Sequence, residues 1–200
     1  MKAIFAAILL LFSPTLFALD PNREITQYVR NSWDNESGLP QNELYAIHQT
    51  NDGYLWLGTA NGLGRFDGVH FEVFDSVRVP EITAPEFFAF LESPDGTLWI
   101  GSYWGGLIAY RDGHFQKYGK AQGLSDERVV SIERDHEGNL WLGTPDGLFR
   151  MKNGKFTRYW KEDGLPGRVV WAMVEDHAGK LWIATVGGGL YYYQNGKFWI

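Results

Sequence analysis

Three residues offer a place for ligand chemistry: Tyr103, Trp104 and Arg168. Two adjacent aromatic rings can stack on sugar rings or other flat ligands, and a guanidinium can meet an anionic group. The same side chains would serve equally for packing between neighbouring loops. Carboxylates are plentiful, and Asp52, Asp67, Asp95 and Asp112 look like a supply of acid–base groups. Each of them directly precedes a glycine, which is the pairing of a turn rather than of a reaction centre. His136 and His177 recur at one place in successive repeats, as do His70 and His114, without the convergent spacing of metal ligands. The glycine-rich stretch 186–189 is followed by no Lys-Ser/Thr pair, so it is not a phosphate loop. No Ser/His/Asp constellation can be assigned, and no catalytic residue, metal or cofactor is expected.

The chain of 200 residues carries a formal charge of −6 and no cysteine. Disulfides and thiolate metal sites are thereby excluded. No basic run of the kind that grips a phosphate backbone occurs, which argues against a nucleic-acid partner. Lys2 precedes an apolar run from Ala3 to Phe12, and Leu16-Phe17-Ala18 offers a cleavage site. Residues 1–18 therefore read as a secretory signal peptide, too short for a membrane span, and the mature chain is expected in the periplasm. The alternative is a short anchor that is never removed. No later stretch has the length of apolar sequence that a spanning helix needs.

What must position the candidate residues is a repeat. Four segments align: Asp52-Gly-Tyr-Leu-Trp-Leu-Gly-Thr59, Asp95-Gly-Thr-Leu-Trp-Ile-Gly-Ser102, Glu137-Gly-Asn-Leu-Trp-Leu-Gly-Thr144 and Ala178-Gly-Lys-Leu-Trp-Ile-Ala-Thr185. Their tryptophans, Trp56, Trp99, Trp141 and Trp182, lie 43, 42 and 41 residues apart. A Gly-Leu pair follows each, and then Asp67-Gly68, Asp112-Gly113, Asn153-Gly154 or Asn195-Gly196. Such pairs accept positive φ at both centres of a type I′ turn, the signature of a β-hairpin. Each unit thus holds four strands, a to d, which in the first copy are Leu44–Thr50, Leu55–Thr59, Leu63–Phe66 and His70–Phe74. On strand a, Ala46, Ala89, Ser131 and Ala172 are always small and the next residue always large and apolar, as expected where sheets converge on a crowded axis.

A unit of about 42 residues with four antiparallel strands and a conspicuous Trp matches one blade of a β-propeller. A sandwich of regularly spaced strands is the competitor, though it demands no such periodic identity. The expected fold is all-β: four consecutive four-stranded antiparallel blades at roughly 40–75, 84–119, 124–160 and 165–200. Residues 25–28 resemble the strand d at 156–159 and read as an orphan outer strand. The last unit already holds its own strand d, so the expected arrangement is an incomplete, open arc with further blades missing downstream. A closed four-bladed ring is the alternative.

The run Ile25 to Trp33, Gly38-Leu-Pro-Gln-Asn42, Asp52 to Thr59, Gly62-Leu63 and Arg65-Phe-Asp-Gly68 resembles the two-component regulator propeller family. That resemblance implies a periplasmic sensor propeller, usually seven-bladed, continuing through a membrane helix into a histidine kinase or diguanylate cyclase output. It also implies a small-molecule or glycan ligand. This sequence departs from the family pattern in holding four units with no membrane helix and no output domain, and in replacing Gly-Leu-Pro by Pro80 to Pro85 in the second unit. A propeller glycosidase or lyase is the second reading, since Thr50 to Trp56 is similar to the sialidase Asp box with one residue fewer. An exported protein-binding scaffold is the third. In every case the a–b and c–d turns lie at one end of a blade and the longer loops at the other, where a ligand is expected.

Overall fold

Three of the four outer hairpins close as the Asn-Gly and Asp-Gly pairs require. Asp112, Asn153 and Asn195 have φ of 50°, 52° and 52°, and each is followed by a glycine with positive φ. The first hairpin departs from expectation. Val69 is one residue more than the other units have, Asp67 stays out of the left-handed region, and its carboxylate instead accepts the Val69 and His70 amides at 2.7 and 2.6 Å. The computed structural model describes residues 24, 26, 30–165, 167 and 169–200. The signal peptide at 1–18, most of the orphan strand at 25–28 and Arg168 lie outside the described residues. Contacts divide the chain into Met1–Ser32 and Trp33–Ile200. The few described positions of the first unit are exposed, and the second holds the described sheets.

Among the described residues the sheets are four, each antiparallel and each in chain order. They comprise β1 (Leu44–Gln49), β2 (Leu55–Thr59), β3 (Gly62–Phe66) and β4 (Phe71–Phe74); β5 (Glu86–Glu92), β6 (Leu98–Tyr103), β7 (Gly106–Arg111) and β8 (His114–Tyr118); β9 (Ser131–Arg134), β10 (Leu140–Thr144), β11 (Gly147–Lys152) and β12 (Lys155–Tyr159); and β13 (Val170–Glu175), β14 (Leu181–Thr185), β15 (Gly189–Gln194) and β16 (Lys197–Trp199). The first strands pack in series, β1 on β5, β5 on β9 and β9 on β13. This is the open arc of propeller blades that the repeat predicts. At its two ends Ile47 and Val174 are 66% and 58% exposed, whereas Ile132, the counterpart of Ile47 in the third sheet, is buried.

The connection into a sheet is equally regular. Single helical turns at Asn35–Ser37, Lys120–Gln122 and Lys161–Asp163 each end on a left-handed glycine, Gly38, Gly123 or Gly164. A side chain at that φ would be strained, and the reversal delivers Leu39, Leu124 and Leu165 into the core. The second unit has no such glycine, and buried Val79 and Ile82 fill the same role.

Close approach between sheets explains the glycine after Trp-Leu or Trp-Ile. A Cβ on Gly143 would meet the Val170 carbonyl oxygen at 2.5 Å, and one on Gly101 would meet Val129 Cγ1 at 2.9 Å. A Cβ on Gly58 would strike the Phe87 carbonyl. The fourth sheet holds Ala184 at that place.

The joints between sheets are of two kinds. At the first, the Asn51 amide donates to Glu92 Oε2 at 2.9 Å and Arg65 Nη1 donates to the Tyr110 hydroxyl at 2.9 Å. The third repeats both bonds, from the His136 amide to Glu175 Oε2 at 2.8 Å and from Arg150 Nη1 to the Tyr193 hydroxyl at 3.4 Å. The second joint has neither, because the equivalent residues are Pro94, Arg134, Ala109 and Met151. It rests on an apolar cluster that includes Leu107, Leu124, Val129, Leu142 and Phe149, with Lys117 and Glu127 paired at 3.5 Å beside it.

Candidate functional site

The inner strand carries a feature that its spacing does not announce. Pairing between β1 and β2 skips Tyr45, between β5 and β6 it skips Phe88, and between β13 and β14 it skips Trp171. Each is therefore a β-bulge at the loop end of the strand, a device that re-aims one side chain and often borders a binding site. Tyr45 stacks on Phe88 with ring centroids 4.3 Å apart and planes at 17°. Phe88 lies 5.4 Å from Tyr103, and Tyr103 meets Trp104 edge-on at 5.2 Å. The guanidinium of Arg128 sits 5.2 Å from the Trp104 ring. Its own fork is held by Asp126, with Nε to Oδ1 at 2.8 Å and Nη2 to Oδ2 at 2.9 Å. Four rings from two successive sheets, and one cation from the connection into the third, thus form one continuous surface at the loop end.

Trp104 is its focus. The indole is 61% exposed, and its φ of 82° is left-handed, an arrangement that costs a residue other than glycine about 1 kcal/mol or more. The turn beneath it is less well braced than its counterparts. In the other three sheets a threonine hydroxyl donates to the carbonyl across the turn, Thr59 to Gly62, Thr144 to Gly147 and Thr185 to Gly189, at 2.8 to 3.1 Å. The second sheet has Ser102 instead, whose buried Oγ has no partner among the described residues. A strained, exposed aromatic over an unsatisfied hydroxyl is the pattern of a site shaped for contact rather than for stability.

The structure brings two of the three sequence candidates, Tyr103 and Trp104, onto this surface, while Arg168 lies outside the described residues. Tyr45, Phe88 and Arg128 are additions. The first two were foreshadowed by aromatics directly preceding the small residues Ala46 and Ala89 on strand a. Arg128 carried no signal, because only the fold brings its connection beside the preceding sheet.

The carboxylates of the turns behave as turn groups. Asp95 accepts the Thr97 amide at 3.1 Å and Asp52 the Tyr54 amide at 3.3 Å. Amide donors, from His70 to Asp67, Thr97 to Asp95 and Lys180 to Asp176, hold these three below the usual carboxylate range. Such groups stay ionised and are poor general acids.

At the opposite end, among the tight turns, a cleft of about 960 Å³ opens between the third and fourth sheets, with both His136 and His177 on its walls. His136 Nδ1 lies 2.6 Å from Glu175 Oε1. That hydrogen bond first, and then the charge of the same carboxylate, raise the imidazole above its ordinary value of 6.5. A raised folded value means that the stabilisation is complete below pH 6.5, where the unfolded imidazole is also charged, and fades as pH rises through the folded value. Thermal melts across that window are expected to show a midpoint that falls with pH in the wild type and is flatter in His136→Asn. Parallel profiles would refute the link.

Comparison with known proteins adds to this geometry. The two-component regulator propeller family model matches residues 38–61, 123–146 and 164–187. The extracellular domain of BT3049 from B. thetaiotaomicron, described as a hybrid two component system, is 30% identical, with a TM-score of 0.75 over 84% of this chain and 26% of that one. The extracellular domain of BT4673 from the same organism is 21% identical, with a TM-score of 0.63 over 77% of this chain and 23% of that one. This chain therefore spans about a quarter of the length of either. Virginiamycin B lyase from Staphylococcus aureus shares the fold at 17% identity, with a TM-score of 0.65 over 81% of this chain and 56% of that one. No curated protein matches.

Proposed function

Since this chain carries the repeats of the two-component regulator propeller family, we propose that it is a ligand-sensing input module of a membrane signalling protein, working in the periplasm. It binds rather than catalyses. The observation that carries this reading is the ring series Tyr45, Phe88, Tyr103 and Trp104 with Arg128 at its edge. Stacked aromatic faces favour the apolar faces of sugar rings, so a glycan fragment is the ligand class. In the whole signalling protein, further blades and a kinase or cyclase output lie downstream. The likeness to the extracellular domain of a hybrid two component system supports this reading.

Trp104→Gly tests it. Removing the ring deletes the exposed end of the stack, while glycine relieves the left-handed strain. Titration with a panel of oligosaccharide fragments, followed by calorimetry, is expected to show a ligand for the wild type. Its affinity should drop about tenfold or more in the variant, the usual size for an aromatic contact at the heart of an interface. The variant's thermal midpoint should stay level or rise. A ligand held equally well by both proteins would place its site elsewhere.

A further inference from the structure

The repeat supplies its own control for the cleft at the turn end. Arg65 and Arg150 occupy equivalent places on β3 and β11, opposite Trp56 and Trp141. Arg65 is closed in. Its Nη2 pairs with Glu72 across the strand at 2.5 Å, its Nη1 bonds Tyr110, and the Tyr54 ring lies 4.6 Å from its guanidinium. Arg150 keeps only the common part of this arrangement. Its guanidinium lies 5.5 Å from the rings of both Trp141 and Tyr159, and Nη1 is a long 3.4 Å from Tyr193. The strand partner that should match Glu72 is Thr157, and the residue matching Tyr54 is Asn139. Among the described residues no carboxylate comes within ion-pair distance of Arg150. The two groups that complete Arg65 are thus the two replaced at Arg150, and the cleft opens in front of it.

The cleft's carboxylates do not supply the missing charge. Asp135 is occupied by the Asn139 amides and the Trp141 indole at 2.7 to 2.8 Å. Asp176 is occupied by the amides of Ala178 and Lys180 and by the Trp182 indole, Glu175 by His136, and Glu137 by Asn139 Nδ2 at 3.3 Å and Lys152 Nζ at 3.8 Å. We propose that Arg150 is the anchor of a second ligand site, at the turn end between the third and fourth sheets, which takes the carboxylate of a small hydroxylated acid such as a sugar acid. At Arg65 it is Nη2 that takes the carboxylate, so the matching Nη2 of Arg150 is the donor left for one, in a charge-assisted hydrogen bond. A single negative charge suits a cleft already edged by acidic groups, where a phosphate dianion would be repelled more strongly. Beyond the anchor, Tyr193 and Asn195 line the space for the hydroxylated part of the ligand.

Thr157→Glu is the decisive variant, because it restores to Arg150 the partner that Arg65 already has. Titration of the whole chain with galacturonate, followed by NMR, is expected to shift signals of the third and fourth sheets, while neutral galactose leaves them in place. Thr157→Glu is expected to weaken galacturonate binding about tenfold or more, as for loss of a charged hydrogen bond, with an unchanged or higher thermal midpoint. Arg150→Gln should lose binding likewise, and Trp104→Gly should retain it, which separates this site from the loop-end surface. Galacturonate acting no differently from galactose, or bound equally by wild type and Thr157→Glu, would overturn the proposal.

Discussion

Trp141→Ala is expected to lower stability by about 3–5 kcal/mol, the cost of emptying a large buried aromatic site. Trp141 is 1% exposed. Its ring lies 4.8 Å from Tyr193 in the next sheet and 5.4 Å from Tyr159 in its own, so the cavity would open at a joint rather than within one sheet. A polar penalty adds to it. The indole donates to Asp135 Oδ2 at 2.7 Å, and losing a donor to a buried carboxylate costs about 1–3 kcal/mol more. A domain of this kind is stable by only about 5–15 kcal/mol, and in a repeat protein a failed interface removes support from both neighbours. Urea denaturation should show the midpoint falling steeply, while Trp182→Ala, at a partly exposed ring in the fourth sheet, should cost clearly less. Equal losses for the two would mean that the joints contribute little.

Gly143→Ala is expected to cost about 1–3 kcal/mol although it adds a single methyl group. No backbone conformation is at issue, since Gly143 does not have the positive φ of the turn glycines. The cost is spatial. The new carbon would sit 2.5 Å from the Val170 carbonyl oxygen and 3.0 Å from Val170 Cγ1, and a backbone carbonyl cannot rotate away as a side chain could. The fourth sheet must move outward or the strand must shift. The matched control is Ala184→Gly, which reverses the change at the equivalent place and should cost well under half as much. Denaturation midpoints of the two variants decide the matter, and a silent Gly143→Ala would show that the joint between these sheets yields easily.

Much of this architecture could be read from residue types alone, because a propeller repeats its reasons. The recurring Trp, the Gly two places later and the Asn-Gly hairpins marked each strand b and three of four outer turns to within a residue. The turn carboxylates were also legible, since aspartate beside glycine has a local explanation. What escaped was set between units. Whether Tyr45 and Phe88 bulge depends on the adjoining strand's pairing, and spacing along one chain does not record it. Val69 converts an expected type I′ hairpin into a longer loop because one inserted residue changes the closing pair. The open side of Arg150 was invisible for a related reason. It appears only when Thr157 is compared with Glu72 and Asn139 with Tyr54, which requires knowing that Glu72 and Tyr54 both meet the Arg65 guanidinium.

The unlike joints give the arc a weak point that moves with temperature. Apolar association loses strength on cooling, and the middle joint, which lacks the Arg–Tyr and amide–glutamate bonds of its neighbours, combines its apolar cluster with backbone bonds from Gly106 to Glu127 and from Val129 to Ser102. A chilled arc is therefore expected to slacken first between the side chains of Leu107 and Leu142, with those backbone bonds left as the hinge between two pairs of sheets.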